Sequence, residues 1–195
     1  MTLSCLFVID TMAIRTFIAV DLERDERIET FGTALKHADP SLKIVNPSLI
    51  HITLKFLGDV EEGQIPKISE AMHSAVQGVE PFTIAFRGTG AFPSLNRIRV
   101  VWVGMTDSQA LGTIARRLDE RLATIGFARE TRPFAPHLTV ARARSMHSNP
   151  SVRRVIQDHA QDDFGQQEVR VIRLKKSVLT PHGPQYSTLE ELHLS

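Results

Sequence analysis

The sequence predicts an α+β fold made of two similar lobes, and three observations lead to this prediction. Segments that alternate with the period of a strand are interspersed with segments of helical periodicity. The order of these segments is the same in the two halves of the chain. A four-residue pattern that begins with histidine lies on a predicted strand in each half. With 195 residues, 42% of them apolar, the chain is long enough to bury a sizeable core.

The first half is predicted to run strand, helix, strand, helix, strand. Its first helix, for example, places Ile28, Phe31 and Leu35 at helical spacing. A following segment rich in glycine and proline, 88–96, is predicted to be a loop. The five elements of this half are expected at residues 15–20, 24–37, 50–57, 62–77 and 82–86.

The second half is predicted to repeat the same order of elements. They are expected at residues 98–103, 108–125, 137–142 and 151–160, with closing strands near 168–175 and 186–194. Because the repeated unit is too long for a solenoid, we interpret it as a duplication into two α+β lobes. Residues 1–11 do not fit the pattern and are expected to be an extension or a misassigned start, which leaves 12–195 as one bilobal domain.

Composition narrows the class of protein. The 23 basic and 22 acidic residues give a formal charge of +1, which argues against holding long nucleic acid by bulk electrostatics. The single cysteine, Cys5, cannot form an internal disulfide, so we expect a cytoplasmic protein. No stretch is apolar over the length of a membrane span, and no long heptad pattern appears, so we expect a soluble monomer.

The pattern histidine, apolar residue, threonine, apolar residue occurs twice, at 51–54 and at 137–140. With this composition, chance gives two copies in about one chain in two hundred. Residues two apart on a strand project from the same face. Each copy therefore offers an imidazole beside a hydroxyl.

Two such pairs suit displacement at phosphorus without a metal if a pseudo-two-fold axis brings them together. Facing imidazoles can act as general acid and general base near neutral pH. The hydroxyls of Thr53 and Thr139 can bind the non-bridging oxygens of a phosphate. The alternatives are solvated surface histidines, or a metal site, although neither copy has a typical ligand spacing.

With these motifs, the chain resembles the 2H phosphoesterase superfamily, in particular its branch of RNA 2′,3′-cyclic phosphodiesterases, also called 2′-5′ RNA ligases. The resemblance extends from residue 15 to about residue 192. The similar stretches are RTFIAVDL, HITLKFLGDV, GAFPSLNRIRVVWVG, RPFAPHLTVARAR and LTPHGPQYSTLEEL.

The resemblance implies two antiparallel sheets related by pseudo-two-fold symmetry around a groove. It implies hydrolysis of an RNA or nucleotide 2′,3′-cyclic phosphate to a 2′-phosphate, with no cofactor and no metal. His51 and His137 would be the acid and base, and Thr53 and Thr139 would bind phosphate. We favour His137 as the base that activates water and His51 as the acid. Ligation of a 2′-5′ bond would be the same chemistry with an RNA hydroxyl in place of water.

Two further positions, Phe56 and Arg142, lie five residues after each histidine. Similar family positions imply that Phe56 stacks on a base and that Arg142 pairs with phosphate. Strict alternation would turn both away from the histidine face, so these roles require a bulge or a strand end. The alternatives are a core phenylalanine and a solvated arginine.

Some neighbouring residues also carry expectations. Lys55 shares the polar strand face with His51 and is expected at the groove edge, and Tyr186 is considered for the groove border. Trp102 is expected in the core. Two other functions stay open: a phosphodiesterase for a small nucleotide, such as a cyclic phosphate of an ADP-ribose derivative, and a module that binds RNA ends without turnover.

Overall fold

The computed structural model describes residues 13–181 and 183–195, and the segment predicted as an extension, 1–11, lies outside the described residues. Helices are interspersed among the strands along the chain, and two short 3-10 helices lie at Pro47–Leu49 and Glu62–Gln64. The elements are β1 Ile14–Asp21, α1 Glu26–Ala38, β2 Lys43–Ile44, β3 His51–Val60, α2 Ile65–Val76, β4 Phe82–Ser94, β5 Arg97–Thr106, α3 Gln109–Ala123, β6 Leu138–His147, α4 Pro150–Asp158, β7 Asp163–Val169, β8 Val171–Thr180 and β9 Gly183–His193.

The strands form two antiparallel sheets, which confirms the predicted α+β class. The first sheet has the order β3-β1-β8-β9, and the second has the order β2-β6-β5-β4-β7. Each sheet takes strands from both halves of the chain, because β4 pairs with β5 and β8 pairs with β1. Neither lobe is therefore formed by one continuous half of the chain.

The helices also cross between the lobes. Helix α1 follows a strand of the first sheet but packs on β6 and β7 of the second sheet, beside α4. Helix α3 follows a strand of the second sheet but packs on β3 of the first sheet, beside α2. The predicted inward residues of α1, Ile28, Phe31 and Leu35, are all buried. The buried side chains of both lobes form one continuous hydrophobic core.

The segment predicted as a loop at 88–96 belongs mostly to a long β-hairpin. Strand β4 runs through to Ser94, and only two residues separate it from β5. Its pairing with β5 shifts register near Gly88, whose φ is 70°, and again at Pro93. Glycine and proline here occupy irregularities of a continuing strand, whereas the prediction took them for its end.

The closing strand predicted near 168–175 is wrong, because this segment spans two strands in different sheets. Val169 ends β7 in the second sheet, and Val171 begins β8 in the first. Only Arg170 lies between them, and its carbonyl accepts a hydrogen bond from the Leu194 N–H. No glycine or proline marks this crossing, so the sequence pattern runs through it without a break.

Candidate active site

The two histidine motifs meet at a groove between the sheets. Strand β3 lies at the edge of the first sheet, and β6 of the second sheet contacts it. One cavity of about 360 Å³ is lined by His51, and an adjoining cavity of about 810 Å³ is lined by His137. Thr53, Thr139 and Arg142 line both cavities, so these three side chains occupy the middle of the groove between the two histidines.

The two imidazoles are held in the same way. His51 Nδ1 lies 2.8 Å from the Leu49 carbonyl oxygen, and His137 Nδ1 lies 2.8 Å from the Ala135 carbonyl oxygen. A carbonyl oxygen only accepts, so each Nδ1–H donates. In the neutral ring the lone pair is then on Nε2, which is the nitrogen left for proton transfer.

Burial lowers the pKa of His51 from its ordinary value. Its ring lies 4.8 Å from the buried Phe17 ring and edge-on to the Tyr186 ring at 5.3 Å, as centroid distances. The hydrogen bond to Leu49 and the charge of Asp21 raise the pKa, whereas the charges of Lys175 and Arg142 lower it. The neutral form of His51 is thus favoured in the free protein.

Strand β3 contains the bulge that Phe56 requires. Thr53 and Lys55 pair with successive residues of β1, so Leu54 is an extra residue in this strand. The bulge turns Phe56 back to the groove side, where the side chain lines the larger cavity and is 53% exposed. The alternative interpretation of Phe56 as a core residue is therefore wrong.

Strand β6 contains the matching bulge. Thr139 and Ala141 pair with successive residues of β5, so Val140 is the extra residue. Arg142 consequently returns to the face of Thr139 and lines both cavities. The two strands thus repeat the same departure from alternation after each His-x-Thr pair.

Lys55 borders the larger cavity, as expected of a residue at the groove edge, but its side chain is buried. Because the bulge at Leu54 turns it inward, its ammonium donates to Asp119 at 2.8 Å, to the Ala128 carbonyl at 2.8 Å and to Glu130 at 3.1 Å. These contacts tie β3 to α3 and to the loop that leads into His137. Burial opposes ionisation of Asp119, but its hydrogen bonds from Lys55 and the Glu130 N–H outweigh it and lower the pKa.

Aromatic side chains that the motifs did not reveal border the groove. The Phe92 ring lies edge-on to His137 at 5.0 Å, much as Tyr186 lies against His51. Phe92 also lies 5.5 Å from Trp102, which is half-buried and thus not the core residue we expected. Phe92 was missed because its segment was predicted as a loop. The signal that could have found it is an aromatic residue that the hairpin pairing places next to a motif-bearing strand.

The charges that line the smaller cavity are basic, from Lys43 and Arg142 beside His51. Among residues 13–181 and 183–195, no three histidine, cysteine or carboxylate side chains are grouped as metal ligands. In the same part of the chain, no helix is long and apolar enough to cross a membrane.

Comparison with known proteins agrees with this architecture. Residues 24–175 match the model of the 2′-5′ RNA ligase superfamily. A Methanothermobacter thermautotrophicus protein named RNA 2′,3′-cyclic phosphodiesterase is 37% identical over 185 residues, covering 94% of this chain and 100% of the relative. An Archaeoglobus fulgidus protein of that name is 39% identical over 177 residues, covering 90% and 97%. The crystal structure of a Thermus thermophilus protein aligns with a TM-score of 0.75 at 28% identity, covering 93% and 98%. This chain belongs to the 2′-5′ RNA ligase superfamily.

Proposed function

We propose that this protein hydrolyses the 2′,3′-cyclic phosphate at RNA ends to a 2′-phosphate. The observation that carries the proposal is the meeting of two His-x-Thr pairs at one groove, where His51 begins β3, His137 immediately precedes β6, and the two strands have matching bulges. The name shared by the relatives from Methanothermobacter and Archaeoglobus supports the same reaction.

The proposed reaction needs one base and one acid on opposite sides of the phosphorus. Neutral His137 removes a proton from water through Nε2, and the water oxygen attacks phosphorus. The bond from phosphorus to the ribose 3′ oxygen breaks, and protonated His51 gives its proton to that oxygen. The product carries a 2′-phosphate and a free 3′-hydroxyl, and the proton count balances.

The middle of the groove suits the phosphate itself. The hydroxyls of Thr53 and Thr139 would donate to its non-bridging oxygens, and the Arg142 guanidinium would pair with its negative charge. Phe56 offers an exposed ring on which the terminal base can stack. We assign these four side chains to substrate binding.

A low pKa constrains the role of His51. As an acid, His51 must be protonated, and burial disfavours that form in the free protein. The phosphate anion bound next to it would raise its pKa and restore the acid. His51 thus becomes an effective acid when substrate is present.

The same groove can support ligation. If the hydroxyl of a second RNA replaces water as the nucleophile, attack on the cyclic phosphate forms a 2′-5′ bond and releases the 3′ oxygen. Hydrolysis dominates wherever water reaches the site. A small cyclic nucleotide as substrate, or binding of RNA ends without turnover, are the competing functions.

The test is turnover of a short RNA that ends in a 2′,3′-cyclic phosphate, with EDTA present and both possible phosphate products resolved. We expect the wild type to make only the 2′-phosphate. His51→Ala and His137→Ala should each lower kcat by about 10² to 10⁴. His73→Ala is the matched control, because His73 is an exposed histidine on α2.

Each outcome separates the candidate functions. Because acid and base act as a unit, the double histidine variant should lose much less than the product of the single losses. Multiplicative losses would contradict coupled acid and base work. Turnover of a small cyclic nucleotide alone would favour the first alternative, and tight RNA binding that survives loss of both histidines would favour the second.

We expect this activity to be carried by a cytoplasmic monomer. The lone cysteine is compatible with a reducing compartment, and the sequence shows no long heptad pattern that would indicate a coiled-coil oligomer. Light scattering of the purified protein measures its mass directly, and a dimer would contradict the monomer.

A further inference from the structure

A strip of arginines leads away from the groove along the second sheet. In β6, Arg144 lies two residues beyond Arg142 and is exposed like it, whereas Ala143 between them is buried. In the neighbouring strand β5, Arg97 and Arg99 are exposed on either side of the buried Ile98. We call Arg97, Arg99, Arg142 and Arg144 the arginine strip.

Contacts show that the strip is continuous across the two strands. The Arg99 guanidinium donates to the Arg144 carbonyl. The Arg97 guanidinium lies 3.9 Å from the sulfur of Met146, which is two residues beyond Arg144 in β6. The strip therefore begins at the phosphate-binding part of the groove and runs toward the tip of the β4–β5 hairpin.

The strip concentrates positive charge within the described part of the chain. Segments 81–106 and 131–157 contain arginines but no aspartate or glutamate. In the described part of the chain, none of the four strip arginines forms an ion pair. Several arginines elsewhere form ion pairs, as Arg24 does with Glu29 and Arg173 with Glu191. A net charge of only +1 thus hides a local concentration of positive charge.

The spacing and neighbours of the strip suit a single strand of nucleic acid. Side chains two residues apart on a strand lie about 7 Å from each other, so each guanidinium can take its own phosphate. Exposed apolar side chains flank the strip, with Phe92 37% and Met146 51% exposed, and they offer surfaces for bases.

We propose that the arginine strip binds the backbone phosphates of the nucleotides that precede the cyclic phosphate. The inference rests on the proposed function, because the strip starts at Arg142 in the groove. It specifies the substrate class as an RNA end several nucleotides long. A free cyclic nucleotide would fill the groove but leave the strip empty.

The experiment compares kcat/KM for a nucleoside 2′,3′-cyclic phosphate with that for RNAs of two, four and eight nucleotides bearing the same end. The wild type should gain with length and lose that gain at high salt. The double variant Arg97→Gln/Arg144→Gln should lose at least tenfold on the octamer and keep its rate on the mononucleotide. A plot of log(kcat/KM) on the octamer against the logarithm of the salt concentration should have a shallower slope for this variant than for the wild type. The difference should be about 0.7 for each phosphate contact removed.

The control removes the same charge elsewhere. Arg121→Gln/Arg154→Gln replaces two exposed arginines on α3 and α4 and should leave the length gain intact. If this control lost as much kcat/KM on the octamer, or if the wild-type kcat/KM did not depend on RNA length, the proposed role of the strip would be wrong. The hydrolysis itself would still be established.

A second measurement keeps the two proposals separable. Binding of an RNA octamer ending in a 2′-phosphate is followed by fluorescence anisotropy, which needs no turnover. If no substrate is hydrolysed, the proposed function fails, yet weaker binding by Arg97→Gln/Arg144→Gln alone still supports the strip. Equal binding by the wild type and both double variants rejects it.

Discussion

His51 shows how one side chain can serve both packing and chemistry. Its ring packs against the rings of Phe17 and Tyr186, and its Nδ1–H donates to the Leu49 carbonyl. Burial that orients the ring also disfavours its charged form. The positioning of the imidazole therefore comes at the cost of a lower pKa, which the anionic substrate can offset.

This lowered pKa predicts the pH dependence of the reaction. With His51 as the acid, activity falls as pH rises through its pKa, so the alkaline limb of kcat/KM should lie below the ordinary histidine value of about 6.5. In kcat, which reports the bound complex, that limb should move to higher pH.

A nearby lysine provides the variant for this test. Lys175 is buried, bonds Asp21 and lowers the pKa of His51, so Lys175→Gln should move the alkaline limb of kcat/KM upward. Lys176→Gln, one residue along the strand, is the matched control. Movement of the acid limb in place of the alkaline one would assign His51 as the base.

Lys55 is expected to position His137 without touching substrate. Lys55→Met should lower the free energy of unfolding by about 1–3 kcal/mol, because the Ala128 carbonyl loses its Lys55 donor and Asp119 keeps only the Glu130 N–H and Arg129 as donors. It should also lower kcat on a mononucleotide substrate more than it changes KM. Urea unfolding and steady-state kinetics measure the two effects.

The conservative variant separates positioning from simple stability. Lys55→Arg keeps the cation beside Asp119 and Glu130 and should recover most of kcat. If Lys55→Met lost stability but kept the wild-type kcat and pH profile, the contacts of Lys55 would be structural only.

At the scale of the element, the paired bulges decide which side chains reach the groove. The sequence predicted both motif strands, and it required a bulge or a strand end for Phe56 and Arg142 to act. It could not locate that bulge, because Leu54 and Lys55 look like one apolar and one polar position of an unbroken alternation. The partner strand β1 fixes the register, and that pairing is a long-range property.

Phe56 and Phe17 give a direct test of the β3 bulge, since their rings lie 5.8 Å apart but differ in burial. Phe56 is 53% exposed, so Phe56→Ala should cost under about 1 kcal/mol in unfolding free energy and raise KM. Phe17 is 1% exposed, so Phe17→Ala should cost about 3–5 kcal/mol. If both variants lost a similarly large unfolding free energy, Phe56 would be a core residue.

At the scale of the molecule, the repeat predicted two lobes, but the path of the chain between them was not readable from local pattern. Helices α1 and α3 carry the predicted apolar stripes, yet each covers the sheet of the other lobe. An apolar stripe predicts that one face of a helix is buried, but it does not indicate which sheet covers that face. The same limit explains why β7 and β8 were merged into one strand.

The packing of α1 and α3 on the opposite sheets predicts that the two lobes unfold together. Each sheet depends on a helix from the opposite half of the repeat, and the buried residues form one core. Neither lobe can therefore open while the other keeps its cover, so we expect a single cooperative transition.

The chain carries a separate spectroscopic probe in each sheet. Its single tryptophan, Trp102, lies on β5 of the second sheet, and its single tyrosine, Tyr186, lies on β9 of the first. Urea unfolding followed by Trp102 fluorescence, and by fluorine NMR of protein carrying fluorotyrosine, should give the same midpoint. The labelled protein must first show wild-type turnover. Two separate midpoints would show that the lobes are independent folding units despite the shared helices.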